Sequence, residues 1–166
     1  FGLHHSKTDG SRVGLADALR GAQRYAQARA IYEEVLPRQR RLFGDHHTTT
    51  ESTLNGLAIS LHDLEEHDAA RPVLEHLYQA RTIRLGADHR NTVMTLHNLG
   101  HNHLATGDLA AAEDCFRRVH EVDRRQRGLS HSDTAMSRSA VADVQAARGD
   151  FDHALSGWIE AAEIMG

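Results

Sequence analysis

Fourteen of the 166 residues are histidines, the side chain best suited to bind a metal or move a proton near neutral pH. His97 and His101 stand four residues apart, a spacing that sets both imidazoles on one face of a helix. Such a pair could hold zinc if a third ligand, His62 or Asp143, came from a neighbouring helix. The His-Glu-x-x-His arrangement is missing, however, so ordinary surface histidines are the better reading and no metal or cofactor is expected. A second set, His5, His47, His89 and His131, recurs every 42 residues. Axes of packed helices are already about 8–10 Å apart, too far for one ion that needs each nitrogen about 2 Å away. Each of these imidazoles is therefore expected to bond across its own loop.

Other chemistry is sparse. Cys115 is the one cysteine, which excludes an internal disulfide and favours a reducing, cytoplasmic setting. It falls in register with Ile31, Val73 and Gly157 and reads as a small buried hydrophobe. No glycine-rich phosphate loop, nucleophile elbow or paired-carboxylate pattern stands out, so the chain is not expected to be an enzyme. The runs Arg38-Gln39-Arg40-Arg41 and Arg124-Arg125-Gln126-Arg127 follow Glu33, Glu34, Glu121 and Asp123. They read as a solvated helix face with charges suited to helix C-termini. With a formal net charge of −4 and no interleaved stacking aromatics, nucleic acid is not expected as a partner. No apolar run approaches the ~18 residues of a membrane span.

The residues that could act must be held by a scaffold, and its signature is the same 42-residue period. Gly2, Gly44, Gly86 and Gly128 form one column, and Thr8, Thr50, Thr92 and Thr134 another. Leu15, Leu57, Leu99 and Val141 are followed by the small residues Ala16, Ala58, Gly100 and Ala142. Alanine occupies 28, 70, 112 and 154, while Tyr32, Leu74, Phe116 and Trp158 give one large residue per repeat. Val35, Leu77, Val119 and Ala161 complete the pattern.

Within a repeat the apolar spacing is helical. Leu54, Leu57, Ala58 and Leu61 recur at i, i+3, i+4 and i+7, as one face of a helix requires. Turn residues, such as Thr106-Gly107-Asp108 and Arg148-Gly149-Asp150, separate this helix A from a second, helix B. Glycine then ends helix B in a left-handed conformation, and Asn91 and Asp133 are placed to cap the following helix A. One hairpin cannot bury its own apolar face, but stacked neighbours can. Alanine in its column permits close approach, and the large column fills the space between successive hairpins. The expected fold is an all-α, right-handed α-solenoid of four antiparallel helix-turn-helix repeats, a single array over 1–166. Its repeats run about 1–43, 44–85, 86–127 and 128–166. The Phe-Gly start, without methionine, suggests an excised piece of a longer chain.

This pattern resembles the tetratricopeptide repeat, in the 42-residue variant of kinesin light chains and many bacterial proteins. The resemblance rests on Leu85-Gly86-Ala87-Asp88-His89-Arg90-Asn91-Thr92, then Asn98-Leu99-Gly100, then Gly107-Asp108-Leu109 and Ala112, and it covers essentially the whole chain. The proline usual after the loop histidine is replaced by Ser6, Thr48, Arg90 and Ser132. Arg12 and Arg138 stand where Leu54 and Leu96 do, as in the atypical terminal repeats of arrays.

The resemblance implies an interaction scaffold whose A helices line a concave groove for a protein or peptide segment. It places Asn55, Ile59, His62, Met94, His97, Asn98, His101, Ser139 and Asp143 in that groove, with Met136 beside them. Asn98 holds the slot where related arrays hydrogen-bond a bound backbone, which an amide can do as donor and acceptor together. The carboxylate-clamping cations of some relatives are replaced by Val13, Asn55, Met94, His97, Asn98 and Ser139, so a mixed apolar and polar ligand is expected. Two other functions stay open: self-association as a homo-oligomer, and sensing of a small ligand or metal around His97 and His101.

Overall fold

A computed structural model describes the backbone of residues 2–165 and the side chains of residues 9–165. The described residues form eight α-helices and no strand. In chain order they are α1 (Gly2–Gly21), α2 (Tyr25–Phe43), α3 (Thr48–Asp63), α4 (His67–Leu85), α5 (Arg90–Ala105), α6 (Leu109–Arg127), α7 (Ser132–Ala147) and α8 (Phe151–Met165). They fall into two compact units, residues 1–86 and 87–166, each with two hairpins of one A helix and one B helix.

The residue columns explain the packing inside each unit. Ala28, Ala70, Ala112 and Ala154 are all fully buried, as are Tyr32 and Phe116. The Tyr32 ring of α2 lies so close to Gly56 of α3 that a Cβ there would sit 2.5 Å from it. Phe116 of α6 lies equally close to Gly100 on α5, the A helix of its own hairpin, where a Cβ would be 2.7 Å away. Its other side joins Ala112, Ala140, Val141 and Val144 in one core cluster, with Leu104 and Leu109 at the margin. The large residue thus fills the space between consecutive hairpins. Two positions depart from the pattern. Trp158 is 38% exposed, and Leu15, expected in a core column, is 54% exposed. Among the described residues no helix covers that side of α1, whereas Leu57 of α3 lies buried.

The loops explain the histidine column. His47, His89 and His131 are the N-caps of α3, α5 and α7. In each, the imidazole Nδ1 accepts the backbone N–H two residues on, at 3.2, 3.2 and 3.1 Å. Asn91 and Asp133 are thus not caps as expected; they supply the N–H groups that histidine binds. Thr48, Arg90 and Ser132, in the proline slot, are first helical residues, where an N–H has no helical partner and proline fits without loss. The preceding Gly44, Gly86 and Gly128 have φ of 84, 91 and 86° with ψ of 169, 158 and 172°. This is the extended mirror region that is essentially glycine's alone, rather than the left-handed helical one expected. In the first repeat α1 already starts at Gly2, so the expected loop there is helical; the side chains of His5 and Thr8 lie outside the described residues.

The terminal-repeat arginines each find a carboxylate. Arg12 pairs with Glu34, and Arg138 Nε donates to Glu160 at 2.7 Å. In unit 1, Glu51 is buried and takes 2.8 and 2.6 Å bonds from Arg84, while buried Asp9 takes one of 2.7 Å from Arg38.

Two substitutions test these assignments by urea unfolding. His89→Ala should cost about 0.5–1 kcal/mol, because it frees an N–H at the start of α5, and His89→Asp should restore it. Gln39 is fully buried with neither amide atom bonded, so Gln39→Met should add about 1–3 kcal/mol. An unchanged midpoint for both would refute the capping and desolvation accounts.

Candidate functional site

A depression of unit 2 is lined by side chains of three helices. Its volume is about 270 Å³, and its lining includes Met94 and His97 of α5, Asp123 and Arg127 of α6, and Met136 of α7. Met94 and Met136 are 49% and 54% exposed. Two unbranched, polarisable thioethers at a surface adapt to ligands of different shape. Val93 and Val119 supply the apolar floor.

One end of the depression is charged. The Asp123 carboxylate is buried, 3.6 Å from Arg127 Nε. Burial pushes its pKa up; a hydrogen bond from Ser137 and the charge of Arg127 pull it back. Arg127 also pairs with Asp133 of α7, so it ties α6 to α7 rather than standing on a solvated face. Sequence reading missed this network, although the i, i+4 spacing of Asp123 and Arg127 was a signal for half of it.

His97 is half-buried, and burial lowers its pKa below the usual histidine value. Its ring centroid is 4.5 Å from His101 and 5.5 Å from Phe116, and His101 is 4.9 Å from Phe116. The i, i+4 pair therefore packs edge-on around an aromatic ring. Among the described residues no group of three metal-ligating side chains comes together.

The other groove candidates lie in several settings. Asn98 is partly exposed on α5, and no hydrogen bond from the described residues occupies its amide. Ser139 is partly exposed on α7, but neither residue lines the depression. Asp143 is exposed and accepts a 2.9 Å bond from Trp158 Nε1. In unit 1, Asn55 accepts a long 3.5 Å bond from Arg81, Ile59 is half-buried, and exposed His62 lies 5.6 Å from the His67 ring. Unit 1 has its own depression two 42-residue steps earlier, of about 290 Å³, lined by Gly10, Val13, Gln39, Thr48, Thr49 and Ser52. Glycine and serine there take the register positions of the two methionines, so no apolar walls form. Cys115 is buried and its thiol pushed up to about 11, mainly by burial, which keeps it unreactive.

Antiparallel hairpins repeating at 42 residues, with an open face on their A helices, define a helical-repeat protein. The chain belongs to the tetratricopeptide-repeat family, whose model matches residues 9–83, 49–125 and 91–156. No curated protein matches it significantly. Among solved structures it is similar to BtubC (BKLC) from P. vanneervenii, with a TM-score of 0.85 and 18% identity over 95% of this chain and 63% of that one. It therefore spans under two thirds of BtubC. A Podosopora anserina kinesin-light-chain protein of nearly identical TPR-like repeats gives 0.81 and 18%, over 93% and 73%. A Rap protein complexed with competence and sporulation factor gives 0.71 and 14%, over 95% and 43%. The fold class is thus an all-α solenoid of antiparallel hairpins, the scaffold type by which tetratricopeptide proteins bind other proteins. Among the described residues no helix is long and apolar enough to cross a membrane.

The buried state of His97 has a consequence for pH. Its folded pKa lies below the ordinary 6.5, so below about that pH the unfolded chain binds a proton that the folded chain refuses. Stability contributed by the neutral ring is present above that value and is lost as pH falls. His97→Gln should therefore flatten the decline of unfolding free energy between pH 7 and about 5. Parallel curves for the two proteins would sink this assignment.

Proposed function

We propose that the chain is a protein-recognition module that seats a bulky apolar side chain of a partner segment between α5 and α7. The observation that carries the reading is the pair of exposed methionines, Met94 and Met136, facing one depression beside His97. Exposed thioethers over an apolar floor favour an aliphatic or aromatic side chain. The Asp123–Arg127–Asp133 network at the rim adds orientation, because rim charges select partners more than they add affinity. Asn98, with its amide unoccupied, stands one residue from His97 and offers a donor and an acceptor to the partner's backbone. Asn55, Ile59, His62, His101, Ser139 and Asp143 belong to the same A-helix series and would contact flanking residues. On this reading the chain works without catalysis, without a cofactor and in the cytoplasm. The Rap protein found in complex with competence and sporulation factor supports it by analogy of fold.

A random peptide library displayed against the immobilised chain tests the proposal. Selected peptides should share a bulky apolar residue. In calorimetry, Met94→Ala with Met136→Ala should weaken them about tenfold or more, at unchanged helicity. Peptides that bind the double variant equally well, or the absence of any selected peptide, would overturn it.

A further inference from the structure

One buried side chain of unit 1 has nothing to bond. Gln39 of α2 is fully buried, and neither its amide oxygen nor its amide nitrogen has a partner among the described residues. The register explains why. One repeat later the position is held by Arg81, which lies 3.7 Å from Glu51 and bonds Asn55 at 3.5 Å. The matching residues on α1 are Asp9 and Val13. Both oxygens of Asp9 are taken by Arg38, and the Val13 side chain has no polar atom. Gln39 is thus left with a free donor and a free acceptor, at a cost to the fold.

The same residue lines the depression of about 290 Å³ between α1 and α3. Gly10 and Val13 of α1 and Thr48, Thr49 and Ser52 of α3 complete its lining. None of these six is charged, so a charged guest would lose hydration and gain no counter-ion. The hydroxyls of Thr49 and Ser52 make no bond to the described residues and are free to turn. The depression of the same register between α5 and α7 is open in the middle of the chain. The opening between α1 and α3 therefore does not depend on where the sequence starts.

We propose that this depression seats a primary carboxamide, the side chain of an asparagine or glutamine in a partner segment, with Gln39 as its pairing group. A carboxylate only accepts and an ammonium or guanidinium only donates, so each would leave half of Gln39 unmet. A trans peptide bond points its N–H and C=O in opposite directions and meets one of the two. A primary carboxamide carries a C=O and an N–H on one edge, as Gln39 does. The two amides pair through two parallel bonds. Entry requires the Thr49 and Ser52 hydroxyls to swing aside from the buried amide, and they then accept the guest's second N–H. This seat lies within unit 1 and does not rest on the methionine seat between α5 and α7.

Nuclear magnetic resonance titration of the isotope-labelled chain tests it. The probes are short alanine peptides, acetylated and closed by an N-methylamide, with glutamine, glutamate or leucine at the centre. Signals are read at Gln39, Thr49 and Ser52, so that binding between α5 and α7 is not counted. The glutamine peptide should shift the Gln39 side-chain amide and bind about tenfold or more tighter than the other two. Gln39→Met should erase that preference while unfolding at higher urea, which excludes a lost fold as the cause. Equal binding of the three peptides, no shift up to about 10 mM, or a preference that survives Gln39→Met would overturn the proposal. Free L-glutamine tests the source of the amide. If it binds as tightly as the peptide, the guest is the free amino acid, and the partner segment is overturned.

Discussion

The packing of this chain depends on one fit: a large side chain from a B helix pressed against a position where an A helix has almost none. Tyr32 on Gly56 and Phe116 on Gly100 leave no room for even a Cβ. A contact that tight fixes the separation of the helices and their register together, since a slide of one residue would put a side chain where the ring must lie. The fully buried alanines at 28, 70, 112 and 154 serve the same fit from the B-helix side. Trp158, at the same register position on α8, is partly uncovered.

The fit has a polar partner that the columns record but do not explain alone. Fifteen residues before the large position, on the paired A helix, stand Asp17, Ile59, His101 and Asp143. Tyr32 donates its hydroxyl to Asp17 at 2.6 Å, and Trp158 donates Nε1 to Asp143. Phe116, with no donor, meets His101 edge to face. An aromatic that can donate is matched with a carboxylate, and one that cannot is matched with another ring. Burial and the Asp17 bond raise the Tyr32 pKa to about 12, which keeps that donor protonated. His101 and Asp143 are therefore partly spoken for by the fold, and their availability to a ligand is less than their place on helix A implies.

This marks the boundary of what the sequence made legible. Period, helix faces and core columns were readable because burial selects residue type at fixed spacing, and all but Leu15, Trp158 and the half-buried Ile31 and Val73 are buried as their columns imply. The loop histidines were readable as structural, but not as N-caps, because capping depends on which helix residue comes first. Asn91 and Asp133 are better caps by residue type and still lost that role to a residue two places earlier. Met94 and His97 were legible as neighbours because they stand three residues apart on one face of α5, while Met136 of α7 was set beside them by the family resemblance. The charged rim was not legible, since Arg127 reaches Asp133 across the loop between α6 and α7, a contact that no periodicity encodes.

One column shows why the two units differ at their open faces although their folds agree. Asp9 and Glu51 are buried on α1 and α3 and held by arginines of α2 and α4. In register with them on α5 and α7 are Val93 and Ala135. A buried carboxylate must be paired, because an unpaired one would be costly, so unit 1 spends its helix-B arginines on internal bonds. Unit 2 has no such carboxylates to satisfy in that column. Its B-helix Asp123 and Arg127 bond each other and Asp133 instead, at the rim of a depression floored by Val93. The exposed methionines complete that floor into an apolar seat, while the corresponding Gly10 and Ser52 leave the unit 1 depression without such side chains. A change of two residues from acid to apolar thus turns a position of internal pairing into a surface able to receive another molecule.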